Sequence, residues 1–228
     1  MKTIGIIGGN GWEISGEYYR LINEFANRKL GGKRSCSCLL YSMDPDVLLR
    51  PARSGDGIGS VFAEAVRHTE EAGADFNIII SGALQEVADA AKRQAAKPVL
   101  LAADATAEVL RGYGIKTAGL LMALCPADRD YYTRRMKEYG IKMLLPSASE
   151  RCFLDRLVGK ELRNGNYRRD SAERLAGVIN ALEAQGAEGI ILGDPELALM
   201  IHQADTAVPL FDQVRIHAEA AAAYALAD

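Results

Sequence analysis

Ser81 and Asp194 are the residues whose types and spacing suggest paired chemistry. Each closes a short apolar run, GADFNIIIS over 73–81 and GAEGIILGD over 186–194, and each lies eight residues beyond the glycine that opens it, Gly73 or Gly186. A hydroxyl and a carboxylate at matched ends of two similar strands suit acid/base chemistry on opposite faces of one small molecule. Ser81 needs a partner to become a base and otherwise donates or relays a proton. Asp194 starts near an unperturbed pKa of about 3.9 and needs burial between apolar walls to become a useful base.

Strands must hold these residues, and the chain supplies strands twice. Short apolar segments alternate with longer amphipathic ones, the pattern of a parallel sheet covered by helices. Strands are expected over 2–8, 36–42, 76–81 and 98–103, and again over 116–123, 141–146, 189–193 and 208–211. Helices are expected over 17–30, over 171–186 with Gly186 closing it, and over the Ala-rich stretch 212–228. Lys2-Thr3 recurs as Lys116-Thr117, 114 residues on, and Gly73-Ala74-Asp75 recurs as Gly186-Ala187-Glu188, 113 residues on. Two landmarks with nearly one offset indicate duplication. The expected fold is α/β: two similar halves related by internal pseudo-symmetry, each a four-stranded parallel sheet with flanking helices. Residues 1–105 with 212–228 should form the N-terminal half and 106–211 the C-terminal half, with the active site in the cleft between them. Ligands of open parallel sheets sit beyond the carboxyl ends of the strands. Four loops are therefore expected to line it: 8–15, 81–86, 122–128 and 193–197.

Bulk properties narrow the partners. The 228 residues carry a net charge of −3 and no dense Lys/Arg stripe, so no nucleic acid is expected. No apolar stretch reaches the roughly 18 residues of a membrane span, and the N-terminal apolar segment is too short for a signal peptide. A soluble, cytoplasmic protein is expected. The four cysteines, Cys36, Cys38, Cys125 and Cys152, do not make a disulfide framework, and Cys36 and Cys38 have no second Cys or His pair nearby to complete a metal site. Cys152 reads as structural. The glycines at 8–11 miss the dinucleotide fingerprint, whose third position is Ile14. Neither a metal nor a cofactor is expected. Backbone N–H groups around Gly8–Gly11, beside a helix starting near Ser15, suit a carboxylate instead. Arg53, after the second strand, and Cys125, in the third loop, are further candidates to reach a ligand. His68 and His202 read as helix-surface residues.

MKTIGIIGG at the start, Trp12-Glu13 and EYYRLINE (17–24) resemble the opening of the aspartate/glutamate racemases. AGAD (72–75), VADA (87–90), ADATAE (103–108), QGAEGIILG (185–193) and PLFDQVRIHAEAA (209–221) are similar as well, so the resemblance covers essentially the whole chain. It implies two flavodoxin-like halves, a cofactor-independent amino-acid racemase or isomerase, a homodimer, and a small ligand such as an amino acid, carboxylate or amine. It gives His217 no acid/base role.

The family's two acid/base residues, usually cysteines, fall by position on Ser81 and Asp194. Its substrate-holding positions fall on Asn10, Gly11, Gly82, Ala83, Ala123, Pro195 and Glu196. Most of these differ from the family pattern. An Asn-Thr pair reads Gly82-Ala83, the Thr after the second Cys reads Pro195, and a Gly-Thr pair reads Met122-Ala123, whereas Glu196 is kept. Scaffold positions persist while site positions change. Asp194 is a weaker base than a thiolate by roughly 4–5 pK units, or roughly 6 kcal/mol of driving force. Three functions follow as expectations: an isomerase with an altered acid/base pair, an inactive homologue that binds a small ligand or a protein, and a one-base lyase or decarboxylase. The lost carboxylate-holding groups argue against free aspartate or glutamate as substrate.

Overall fold

The structure, a computed structural model, describes residues 1–9, 11–46, 57–80, 85–123 and 126–227. The chain divides into two compact units, Met1–Ala105 with Arg215–Asp228, and Thr106–Val214.

The first unit is built on β1 (Ile4–Gly8), α1 (Trp12–Leu30), β2 (Cys38–Ser42), α2 (Gly57–Glu71), β3 (Phe76–Ile80), α3 (Gln85–Gln94) and β4 (Val99–Leu100). Its sheet is parallel, in the order β2-β1-β3-β4. Strands β1 and β3 are buried throughout, as expected of parallel strands covered on both faces. Ile7, Phe62, Val66, Ile79 and Leu101 form the core beneath α2 and α3. Helix α4 (Ala102–Gly112) carries the chain into the second unit.

The second unit repeats the plan with β5 (Thr117–Leu121), α5 (Pro126–Glu138), β6 (Lys142–Leu144), α6 (Ala148–Arg156), α7 (Arg169–Ala184), β7 (Gly189–Leu192), the single turn α8 (Leu197–Met200) and β8 (Leu210–Asp212). Its sheet runs β6-β5-β7-β8, again all parallel. Between α6 and α7 the chain makes a π turn at Leu157–Glu161 and a 3-10 turn at Leu162–Asn164. Leu154, Leu157, Leu162, Ile179 and Leu192 belong to its core. Helix α9 (Gln213–Leu226) returns the chain to the first unit.

The duplicated landmarks make the same hydrogen bonds in both units. Asp75 Oδ2 accepts the Thr3 N–H at 2.7 Å, and Glu188 Oε2 accepts the Lys116 and Thr117 N–H groups at 2.6 and 3.0 Å. In each case an acid entering the third strand caps donors left open at the start of the first. Gly73 and Gly186, with φ of 103° and 99°, supply the left-handed turn that leads from helix to strand. Register repeats too: Gly5 faces Asn77, and Gly119 faces Ile190.

Some local expectations need correction. Helix α1 begins at Trp12, so Trp12–Ser15 form its first turn rather than loop. Strand β4 ends at Leu100 and a helix starts at Ala102, because ADATAE is a helix-forming run that overrides the apolar pattern before it. His202 lies outside any helix, ahead of a 3-10 turn, and Cys152 is exposed on α6 rather than packed in the core. No helix among the described residues is long and apolar enough to cross a membrane.

Candidate active site

The second sheet reverses its order between β5 and β7, and the crevice beyond the carboxyl ends of such a pair is where α/β sheets bind ligands. The ladder between these strands continues one step past them, with the Gly193 N–H donating to the Leu121 carbonyl at 2.9 Å. A further rung of a parallel ladder would draw on the N–H of residue 195. That residue is Pro195, which has none, so pairing stops there. The Ala123 N–H, the last donor of the ladder, goes instead to Asp194 Oδ2 at 2.6 Å. Gly193 makes this end compact. A Cβ at 193 would overlap the Met122 side chain, lying 2.8 Å from its Cγ and 2.9 Å from its Cβ.

Asp194 is only 7% exposed. Leu192 and Leu197 on either side of it belong to the apolar core, and Ala123 packs against that core. Burial raises its pKa from 3.8 to about 7. The Ala123 N–H opposes that rise by favouring the charged form, Glu196 and Asp155 reinforce it by like charge, and Arg163 opposes it. Burial prevails because one N–H replaces only part of the water a carboxylate loses.

Glu196 is tied to Arg163 through Oε1, 3.4 Å from Nε, while its Oε2 is buried without a hydrogen-bond partner among the described residues. A buried carboxylate oxygen with spare lone pairs can take a hydrogen bond from an ammonium or guanidinium group. Among the described residues no cluster of His, Cys, Asp and Glu has the makings of a metal site.

Of the residues expected at the site, Ala123, Asp194, Pro195 and Glu196 gather at this sheet end. Gly11 belongs to the first unit, where it is the N-cap of α1 with φ 122°, a conformation that favours glycine. Close by, Ser15 Oγ donates to the Gly11 carbonyl at 3.3 Å and accepts from Ser42 Oγ at 3.4 Å, and it fills the space a Cβ on Gly8 would take. Asn10, Arg53, Ser81, Gly82, Ala83 and Cys125 lie outside the described residues. Sequence reasoning missed Asp155 and Arg163. Both approach Asp194 from the segment between β6 and α7, and their distance along the chain gave no signal of it.

Residues 7–221 match the Asp/Glu/Hydantoin racemase family. A Yersinia pestis protein classed with the Asp/Glu racemases is 35% identical over 100% of both chains and superposes with a TM-score of 0.94. An aspartate racemase homologue from Pyrococcus horikoshii is 28% identical over 99% of each chain, with a TM-score of 0.87. Arylmalonate decarboxylase is 16% identical over 99% of this chain and 93% of its own, with a TM-score of 0.59, a likeness of fold alone. The first two likenesses and the nearly full-length family match agree: the chain belongs to the Asp/Glu/Hydantoin racemase family.

Proposed function

We propose that this protein is a cofactor-independent isomerase that moves a proton at a carbon acid, with Asp194 as its acid/base group. The observation that carries the reading is the burial of Asp194 at the sheet end, with its pKa at about 7. A group that titrates near the working pH both takes and gives a proton efficiently. Against a thiol near 8.5, the deficit of roughly 6 kcal/mol expected for an ordinary aspartate falls to roughly 2 kcal/mol. Because Oδ2 already accepts the Ala123 N–H, Oδ1 is the oxygen that carries the proton. Ser81, at the matching place in the repeat, would donate or relay a proton on the opposite face of the substrate.

The substrate class follows from charge. Asp194 and Glu196 disfavour a dicarboxylate, and the unpartnered Oε2 of Glu196 favours an ammonium or guanidinium group. Amino acids with neutral or basic side chains fit better than aspartate or glutamate. The working form is expected to be a homodimer. The outer strand β2 leaves Leu40 and Tyr41 exposed, and such an edge is ordinarily covered.

Incubation with single enantiomers followed by chiral chromatography tests the proposal. Formation of the mirror-image amino acid by wild type, and its loss in Asp194→Asn, is the expected result. Full activity in Asp194→Asn removes Asp194 from the chemistry. A second reading, one-sided protonation as in a decarboxylase or lyase, draws support from the same pKa, since Asp194 is as much a donor as a base near neutrality. It predicts proton transfer to a carbanion without racemisation. If neither occurs, the protein is a homologue that binds a ligand or partner without turning it over.

A further inference from the structure

We propose that Met122 is the positioning residue for Asp194: seated on Gly193, its side chain holds the Ala123 N–H against Oδ2. The inference rests on Asp194 being the proton-transfer group, although its test does not require turnover.

Three relationships carry it. Met122 is 6% exposed and immediately precedes Ala123, so any shift of its packing moves the N–H that Asp194 accepts. Its side chain fills the volume above Gly193, and Gly193 immediately precedes Asp194. The last ladder bond, Gly193 N–H to the Leu121 carbonyl at 2.9 Å, lies on the other side of the same pair. Met122 and Gly193 thus form a knob and hole between two hydrogen bonds, one structural and one to the acid/base group. Beyond them, pairing ends at Pro195.

The Ala123 N–H favours the charged form of Asp194, so loosening it raises the pH at which the carboxyl group titrates. Glu196 and Asp155, of like charge, and Arg163, of opposite charge, would remain, so the change would report the N–H itself.

The experiment is a carboxyl 13C NMR titration of aspartate-labelled protein, with the Asp194 signal assigned by its absence in Asp194→Asn. In Met122→Ala the Asp194 midpoint is expected to rise by about one pH unit, while the volume-conserving Met122→Leu stays near wild type. An unchanged or lowered midpoint in Met122→Ala overturns the proposal. Should that variant not fold, Met122→Val removes the end of the side chain and is read in the same way. Activity is measured separately. A raised midpoint in a protein that never turns over amino acids would uphold the role of Met122 while refuting the isomerase reading.

Discussion

The Ala123 N–H reaches Asp194 Oδ2 at 2.6 Å, yet the carboxyl group it serves is held close to neutrality by burial. These two influences oppose each other, and their balance leaves Asp194 able to exist in either protonation state. A fully exposed aspartate would be a poor base, and a buried one without the N–H would remain protonated over a wider range.

This balance has a consequence for stability. The folded pKa of Asp194 lies above its unfolded value, so its contribution is fully present below pH 3.8 and is lost as pH rises through about 7. Between pH 5 and pH 9 the loss is about 3 kcal/mol. Asp194→Asn cannot ionise and should therefore gain on wild type as pH rises. Urea unfolding of both proteins at pH 5 and pH 9 checks this, and parallel pH dependence would show that Asp194 is not buried as described.

The first unit titrates in the opposite sense. His217 is fully buried on α9, its Nδ1 3.0 Å from the Tyr18 hydroxyl and its Nε2 3.1 Å from the Leu100 carbonyl. A carbonyl can only accept, so the ring proton sits on Nε2 and Tyr18 donates to Nδ1. Burial lowers the pKa from 6.5 to about 4. Here the folded value is the lower one, so stability present above pH 6.5 is lost as pH falls toward 4, by about 3 kcal/mol. His217→Gln should be less stable at neutral pH but should lose this acid sensitivity, as measured by urea midpoints at pH 4.5 and pH 7. Acid thus weakens the unit holding His217, while alkali weakens the unit holding Asp194.

Close packing in the second sheet gives a prediction independent of pH. A Cβ on Gly119 would stand 2.6 Å from Ile190 Cδ1 and 3.0 Å from Leu182 Cδ1. Gly119→Ala should cost about 1–3 kcal/mol by overpacking, and Ile190→Val, which removes the clashing methyl group, should recover part of it. Additive effects in the double variant would contradict the contact.

The residues that made the fold legible are those with repeated physical duties. Lys-Thr and Gly-Ala-Asp/Glu recur because each unit needs a left-handed turn after a helix and an acid to cap the neighbouring strand, as Asp75 and Glu188 do. All-buried parallel strands gave equally clear apolar runs. Asp194 was legible from its place in the repeat. Its protonation was not, because that depends first on burial and on the Ala123 N–H, then on Glu196, Arg163 and Asp155, and all but Glu196 are set only in three dimensions. The function of Pro195 as a ladder stop was also hidden, since it appears only once register is known. Strand β4 was overread because buried helix starts and short strands share one apolar signature.

The most direct test of the central claim is proton NMR in D2O, following the α-proton signal of D- and L-amino acids with neutral and basic side chains. Loss of that signal reports abstraction whether or not configuration changes. Asp194 acting as the base predicts exchange in wild type that rises as pH approaches about 7, levels off above it, and disappears in Asp194→Asn. Exchange that persists at the wild-type rate in Asp194→Asn, or its absence from wild type across the panel, would contradict the claim.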